Sequence, residues 1–241
     1  MTQKMTRLRT PVLQAILAKE VLTVHRYILL VLALSTQVPA ATILVSPNPL
    51  VSVPGVVDTI NGAAMAGLIV RATYATPAAP TTLVMVWAAT GATSGAASTG
   101  TTTVSLTGDT SAALAWRYSS VFLSPLTSLD FDGTAAGVFF DRANPNPGTP
   151  GSGPGNDIAF GSLIPPGVDA AFTVTYSSAV GLGANSAQND LYARMRIDFG
   201  ANFIPQDFTF TQDTDQSVIP EPGGAWLALS GLALLVGTRR R

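Results

Sequence analysis

LYARMRIDF, residues 191–199, alternates between two sets of side chains. Leu191, Ala193, Met195, Ile197 and Phe199 fall on one side; Tyr192, Arg194, Arg196 and Asp198 fall on the other. A helix would scatter both sets around its circumference, whereas an extended chain points successive side chains to opposite faces. The stretch predicts a strand with one wet face. AFTVTY (Ala171–Tyr176), FTFT (Phe208–Thr211), GLIVRATY (Gly67–Tyr74) and Thr101–Leu106 read the same way, rich in β-branched and aromatic residues. LVMVW (Leu83–Trp87) is apolar on both faces and is expected to be a central strand. Asn61-Gly62, Thr107-Gly108-Asp109 and Asp132-Gly133 punctuate these runs, and no helical stripe in the body outlasts a turn or two. Many short strands between turn residues predict an all-β body, a β-sandwich of jelly-roll type.

Two segments interrupt the alternation. AATGATSGAASTGTTT (Ala88–Thr103) is almost all small and hydroxylated residues, and is read as a hairpin loop in preference to an O-glycosylated patch. ANPNPGTPGSGPGND (Ala143–Asp157) is too rich in proline and glycine to pair in a sheet and is expected to lie extended on the surface.

Charge narrows the function. Charged residues are 11% of the 241, with a net charge of −1. Between Thr42 and Pro220, however, five arginines face twelve aspartates, with neither lysine nor glutamate, a balance of −7. Such a body cannot neutralise a run of phosphates, which argues against nucleic acid as a partner. There is no cysteine, and His25 is the only histidine. Without His, Cys or Lys the body lacks the usual general bases, and no aspartate pair stands out, so no enzyme and no cofactor is expected.

The acidic residues invite a test for calcium. LDFDGTAAGVFFD puts Asp130, Asp132 and Asp141 at positions one, three and twelve of a loop. An EF-hand also needs Asp or Asn at five and Gly at six, where Thr134 and Ala135 stand. Asp132-Gly133 is therefore read as a hairpin turn, and no metal is assigned. Asp213 and Asp215, in TQDTDQ, are read as solvating a linker before Pro220.

Both ends of the chain are basic. Lys4, Arg7, Arg9, Lys19 and Arg26 precede an apolar run from Tyr27 to Leu34 and a small-residue segment. This order is that of a signal peptide over residues 1–40, forming a signal helix, with cleavage between Ala40 and Ala41. At the other end, residues 218–241, IPEPGGAWLALSGLALLVGTRRR follows Val218. Gly223–Thr238 is uncharged, and sixteen helical residues reach about 24 Å, enough for a short transmembrane helix if the bilayer thins locally. The positive-inside rule puts Arg239, Arg240 and Arg241 in the cytoplasm, leaving residues 41–217 as an extracytoplasmic domain.

Pro-Glu-Pro, an apolar span and a terminal arginine cluster, in that order, resemble a PEP-CTERM sorting signal. The resemblance implies that Pro220, Glu221 and Pro222 are the recognition motif. It implies a transient anchor spanning Trp226–Val236, with Trp226, Leu227, Leu229, Leu232, Leu234 and Leu235 as its apolar residues, and a stop at the three arginines. The processing partners would be signal peptidase and exosortase, a membrane-embedded transpeptidase-like enzyme of Gram-negative bacteria that make exopolysaccharide. The inner membrane would hold the precursor, and the envelope or extracellular matrix would receive the product. NGAAMAGL, WAATGATSG, NPNPGTPGS, NDLYARMRIDFG and FTFTQDTD also resemble the bodies of a group of exported proteins of this kind, which transfers no site residues. The primary expectation is a non-enzymatic envelope or matrix protein. The alternative is a carbohydrate-binding module for the exopolysaccharide, with Trp116 and Tyr118, on one side of a strand, as candidate sugar platform; Asp130 and Asp132 of the acidic loop are the other candidate ligand residues.

Overall fold

The computed structural model describes residues 42–46, 51–143, 149–161, 172–200 and 207–218. The expected signal helix, both processing points and the transmembrane helix lie outside them. Among the described residues there is no helix, and strands account for every regular element. The first five are β1 (Thr42–Ser46), β2 (Val51–Val53), β3 (Val56–Val57), β4 (Ile69–Tyr74) and β5 (Thr81–Val86). Next come β6 (Ala88–Ala89), β7 (Ser94–Ser98), β8 (Thr102–Thr107), β9 (Trp116–Ser120), β10 (Leu126–Asp132) and β11 (Val138–Asp141). The last are β12 (Ala159–Phe160), β13 (Thr173–Leu182), β14 (Leu191–Asp198), β15 (Asp207–Thr211) and β16 (Asp213–Ser217).

These strands make two sheets. The six-stranded sheet, β12-β15-β9-β8-β7-β6, is antiparallel throughout. The ten-stranded sheet is built on the long antiparallel pair β13–β14. Each flank of that pair consists of shorter strands set end to end. β1 and β2 run parallel to β13 on one side; β10 and β11 run antiparallel to β14 on the other. Beyond them β4 and β5 extend the β10 half, while β16 and β3 extend the β11 half. The inner faces share one core, with Val70, Phe131 and Met195 from the larger sheet and Val104, Trp116 and Phe208 from the smaller. Two sheets burying their alternate residues against each other form a β-sandwich. Rings cross the interface: Trp116 meets Phe131 edge-on at 5.8 Å and Trp87 at 5.5 Å.

Two of the places where the chain changes sheets are buried one-residue corners. Trp87, between β5 and β6, donates its indole N–H to the carbonyl of Gly62 at 2.7 Å. Gly95 lies so close beneath that a Cβ there would stand 2.1 Å from the Trp87 nitrogen. This explains the glycine at 95 within Ala88–Thr103, a stretch that is not a loop but builds β6, β7 and the start of β8. Gln212, between β15 and β16, accepts from the Tyr176 hydroxyl and donates to the carbonyls of Asp141 and Asp213, both at 2.9 Å. Its own carbonyl takes the Trp116 indole N–H at 2.8 Å.

Three further expectations are corrected. LVMVW is not central: β5 ends its path of strands, and Val84 and Val86 are 58% and 62% exposed on its outer face. Asp132-Gly133 opens no hairpin, since β10 and β11 both pair with β14 rather than with each other. In LYARMRIDF the alternation breaks. Tyr192 joins Met195 and Ile197 in the main core, three and five residues on, while Leu191 and Ala193 join Val180, Leu182 and Phe139 in a second cluster. The break lies beside Ser178 of β13, whose φ of 61° departs from extended geometry. Past it the outer face of the larger sheet turns apolar and is covered by Val51, Val53 and Val56.

Candidate functional site

Trp116 and Tyr118 do share one side of β9, but that side faces the core. Both are 0% exposed. Trp116 stacks on Phe210 at 5.4 Å, and Tyr118 on Phe208 at 4.8 Å. The Tyr118 hydroxyl meets that of Tyr74 at 2.7 Å, within a buried cluster that includes Thr102 and Ser120. Burial, then the Tyr74 bond, raises the Tyr118 pKa and keeps the phenol neutral. Neither ring presents a face to solvent, so the exposed pair a sugar platform requires is absent from β9.

Asp130 and Asp132 point outward from β10 into a charged ladder. The register sets Asp130 between Arg71 of β4 and Arg196 of β14, and Asp132 opposite Arg194. Arg196 pairs with Asp130 at 3.2 Å and Asp198 at 2.8 Å; Arg194 pairs with Asp132 at 3.2 Å. Burial opposes ionisation of Asp132, but bonds from Thr134 and the Arg194 charge outweigh it and hold the carboxyl below its usual range. With arginines as neighbours, neither carboxylate has the electrostatic deficit that recruits a cation. Together with Thr175 and Ser177 of β13, the ladder lines an open groove of about 410 Å³.

The third aspartate of that sequence loop is elsewhere. β11 pairs with β16 so that Asp141 lies directly across from Asp213, and Phe139 across from Asp215. Since residues two apart share a face, Asp141, Asp213 and Asp215 project together. One carboxylate oxygen from each lies within 4.8 Å of the others, and each residue is 1% exposed. Asp213 and Asp215 thus do not solvate a linker. They belong to an interior strand of the sheet, flanked by β11 and β3.

The surroundings are polar, and among the described residues no positive charge pairs with the three. Asp213 Oδ1 accepts from the Thr110 hydroxyl at 3.0 Å and the Thr214 N–H at 2.9 Å. Asp215 Oδ1 accepts the Thr59 N–H at 3.0 Å. Ser152 Oγ, with one hydrogen to give, stands 3.1 Å from Asp215 Oδ2 and 3.4 Å from Asp141 Oδ2. Among the described residues no donor reaches the buried Oδ1 of Asp141. None of the ion pairs among the described residues involves the three. Arg142, next in sequence, is engaged by Asp157 at 2.9 Å and lies over the Tyr176 ring. Burial, then the charges of Asp215, Asp190 and Asp213, pushes the Asp141 carboxyl up to about 9. Burial chiefly lifts Asp215 to about 6, and raises Asp213 as well.

The covering segment is the end of the Pro/Gly-rich stretch, expected on the surface. Thr149 is instead buried, giving its N–H and hydroxyl to Asp190. Ser152 reaches the acidic trio, and Gly155 packs so tightly that a Cβ would come within 2.4 Å of Asp141 Oδ1. The i, i+2 spacing in Asp213-Thr-Asp215 was the one local signal of this cluster. Its partner, Asp141, is set by long-range register that no local pattern encodes. Compared with protein-family models, curated proteins and solved structures, the chain matches none.

Proposed function

We propose that the chain is an exported, non-enzymatic protein of the envelope or extracellular matrix of an exopolysaccharide-producing Gram-negative bacterium. Its sandwich is of jelly-roll type, and it is anchored briefly in the inner membrane and cut by exosortase. The observation that carries this reading is the ordered tail: Pro220-Glu221-Pro222, an uncharged run, then Arg239–Arg241. It follows closely on β16, which ends at Ser217, so a cut at the motif spares every described strand. The acidic, lysine-free body suits a protein that stays dissolved outside the cell. Intact-mass analysis of native protein, from wild-type cells and cells lacking the sorting enzyme, tests it. Loss of the residues near and beyond Pro220 only when the enzyme is present is the expected result; arginines retained in both strains would refute sorting.

The groove on the larger sheet favours a second reading, recognition of the polysaccharide. Three arginines, two aspartates and two hydroxyl residues line it, a donor and acceptor set suited to sugar hydroxyls and carboxylates without aromatic stacking. Retention on the producer's own polysaccharide, lost in an Arg194→Ala, Arg196→Ala double variant, would support it; no retention of the wild type would remove it.

A further inference from the structure

We propose that Asp141, Asp213 and Asp215, with Ser152, form a buried calcium site that pins the Thr149–Asp157 segment to the β11–β16 strand pair. Three observations converge. Two ligands of one calcium, each about 2.4 Å from it, cannot stand more than about 4.8 Å apart. The three carboxylates offer oxygens within that limit. Second, Asp141 is 1% exposed and carries an oxygen that no donor among the described residues satisfies, although buried acceptors are nearly always satisfied. Third, directly opposed like charges destabilise a strand pair, and Asp141 and Asp213 are directly opposed. Asp58 and Asp190 add negative charge nearby, and no ion pair among the described residues relieves the three.

The donors select the ion. All are hard oxygens with no imidazole or thiolate among them, which disfavours zinc and copper. Magnesium keeps several of its waters, whereas Ser152 and Gly155 pack directly against these carboxylates. Calcium takes about six to eight oxygens in flexible geometry, with carboxylates bound by one or both oxygens. Gly155 permits the enclosure, since a side chain there would occupy the space beside Asp141 Oδ1.

The test is isothermal titration and thermal melting of the full-length chain in mild detergent at neutral pH. The protein is first stripped with a chelator, then given calcium chloride or magnesium chloride. We expect one calcium per chain and a rise in Tm of roughly 5–10 °C at a hundredfold excess over Kd. Asp215→Asn is expected to abolish both, and Asp207→Asn, which changes a surface acid paired with Arg117, to preserve both. Neither heat nor a melting shift in the wild type would overturn the proposal and leave the trio as a proton-sharing cluster. Full calcium affinity in both Asp213→Asn and Asp215→Asn would overturn the residue assignment. Magnesium acting as strongly as calcium would overturn the choice of ion. Because the wild-type titration decides by itself, a variant that fails to fold leaves the test intact.

Discussion

Gln212 shows how much one side chain carries when the chain changes sheets in the core. Its carboxamide answers Tyr176 and the carbonyls of Asp141 and Asp213, all buried. Alanine there would strand those groups away from water, each at about 1–3 kcal/mol. We expect Gln212→Ala to lose about 3 kcal/mol in urea unfolding followed by the emission of buried Trp87 and Trp116. Asp141 makes an opposite case. In chelator, its folded pKa of about 9 lies above the unfolded value of about 3.9. A raised carboxyl contributes its stability in full below the unfolded value and loses it as pH climbs through the folded one. Asp215, at about 6, brings the first part of the loss to lower pH. The chelated wild type should therefore melt progressively lower between pH 5 and 9, and Asp141→Asn should flatten that slope and melt higher at pH 8. Thermal melts across that range, with chelator throughout, check both.

At the scale of the element, alternation located β4, β8, β13, β14 and β15 because each strand's two faces are a local property. Gly67–Tyr74, Thr101–Leu106 and Phe208–Thr211 needed nothing but their own residues to be read. Neighbours are another matter. LVMVW is apolar on both faces, yet only β4 pairs with it, so Val84 and Val86 look outward from an edge. Met85→Ala should then cost about 2–5 kcal/mol, while Val84→Thr on the same strand should stay within about 0.5 kcal/mol. Chemical denaturation of the two variants measures the contrast. The acidic site was half legible for the same reason. Asp213-Thr-Asp215 carries its spacing openly, but the facing Asp141 came from register, and the aspartates first paired with Asp141 in sequence proved to be neutralised by Arg194 and Arg196. Trp116 and Tyr118 were placed on one side of a strand correctly; which side faced the core depends on the second sheet.

For the whole molecule, the described fold ends where the tail begins. Ser217 and Val218 donate their N–H groups to the carbonyls of Gly137 and Gly55, at 2.7 and 2.9 Å. A chain stopped after Ile219 loses Trp226 with the tail but should keep the β-sheet circular dichroism and the buried emission of Trp87 and Trp116, whereas one stopped after Gln212 loses β16 and should not fold. The pairing of β16 with β3 has a kinetic side as well. Val56 and Ser217 are ladder neighbours although nearly the whole domain separates them in sequence, and β1 likewise waits for β13. Loops of that length close late and at an entropic cost, which places folding in the millisecond-to-second range. A chain emerging with its N-terminus first therefore holds β1 and β3 unpaired until its final strands arrive. Its assembly is gated by the last residues of the body to be delivered.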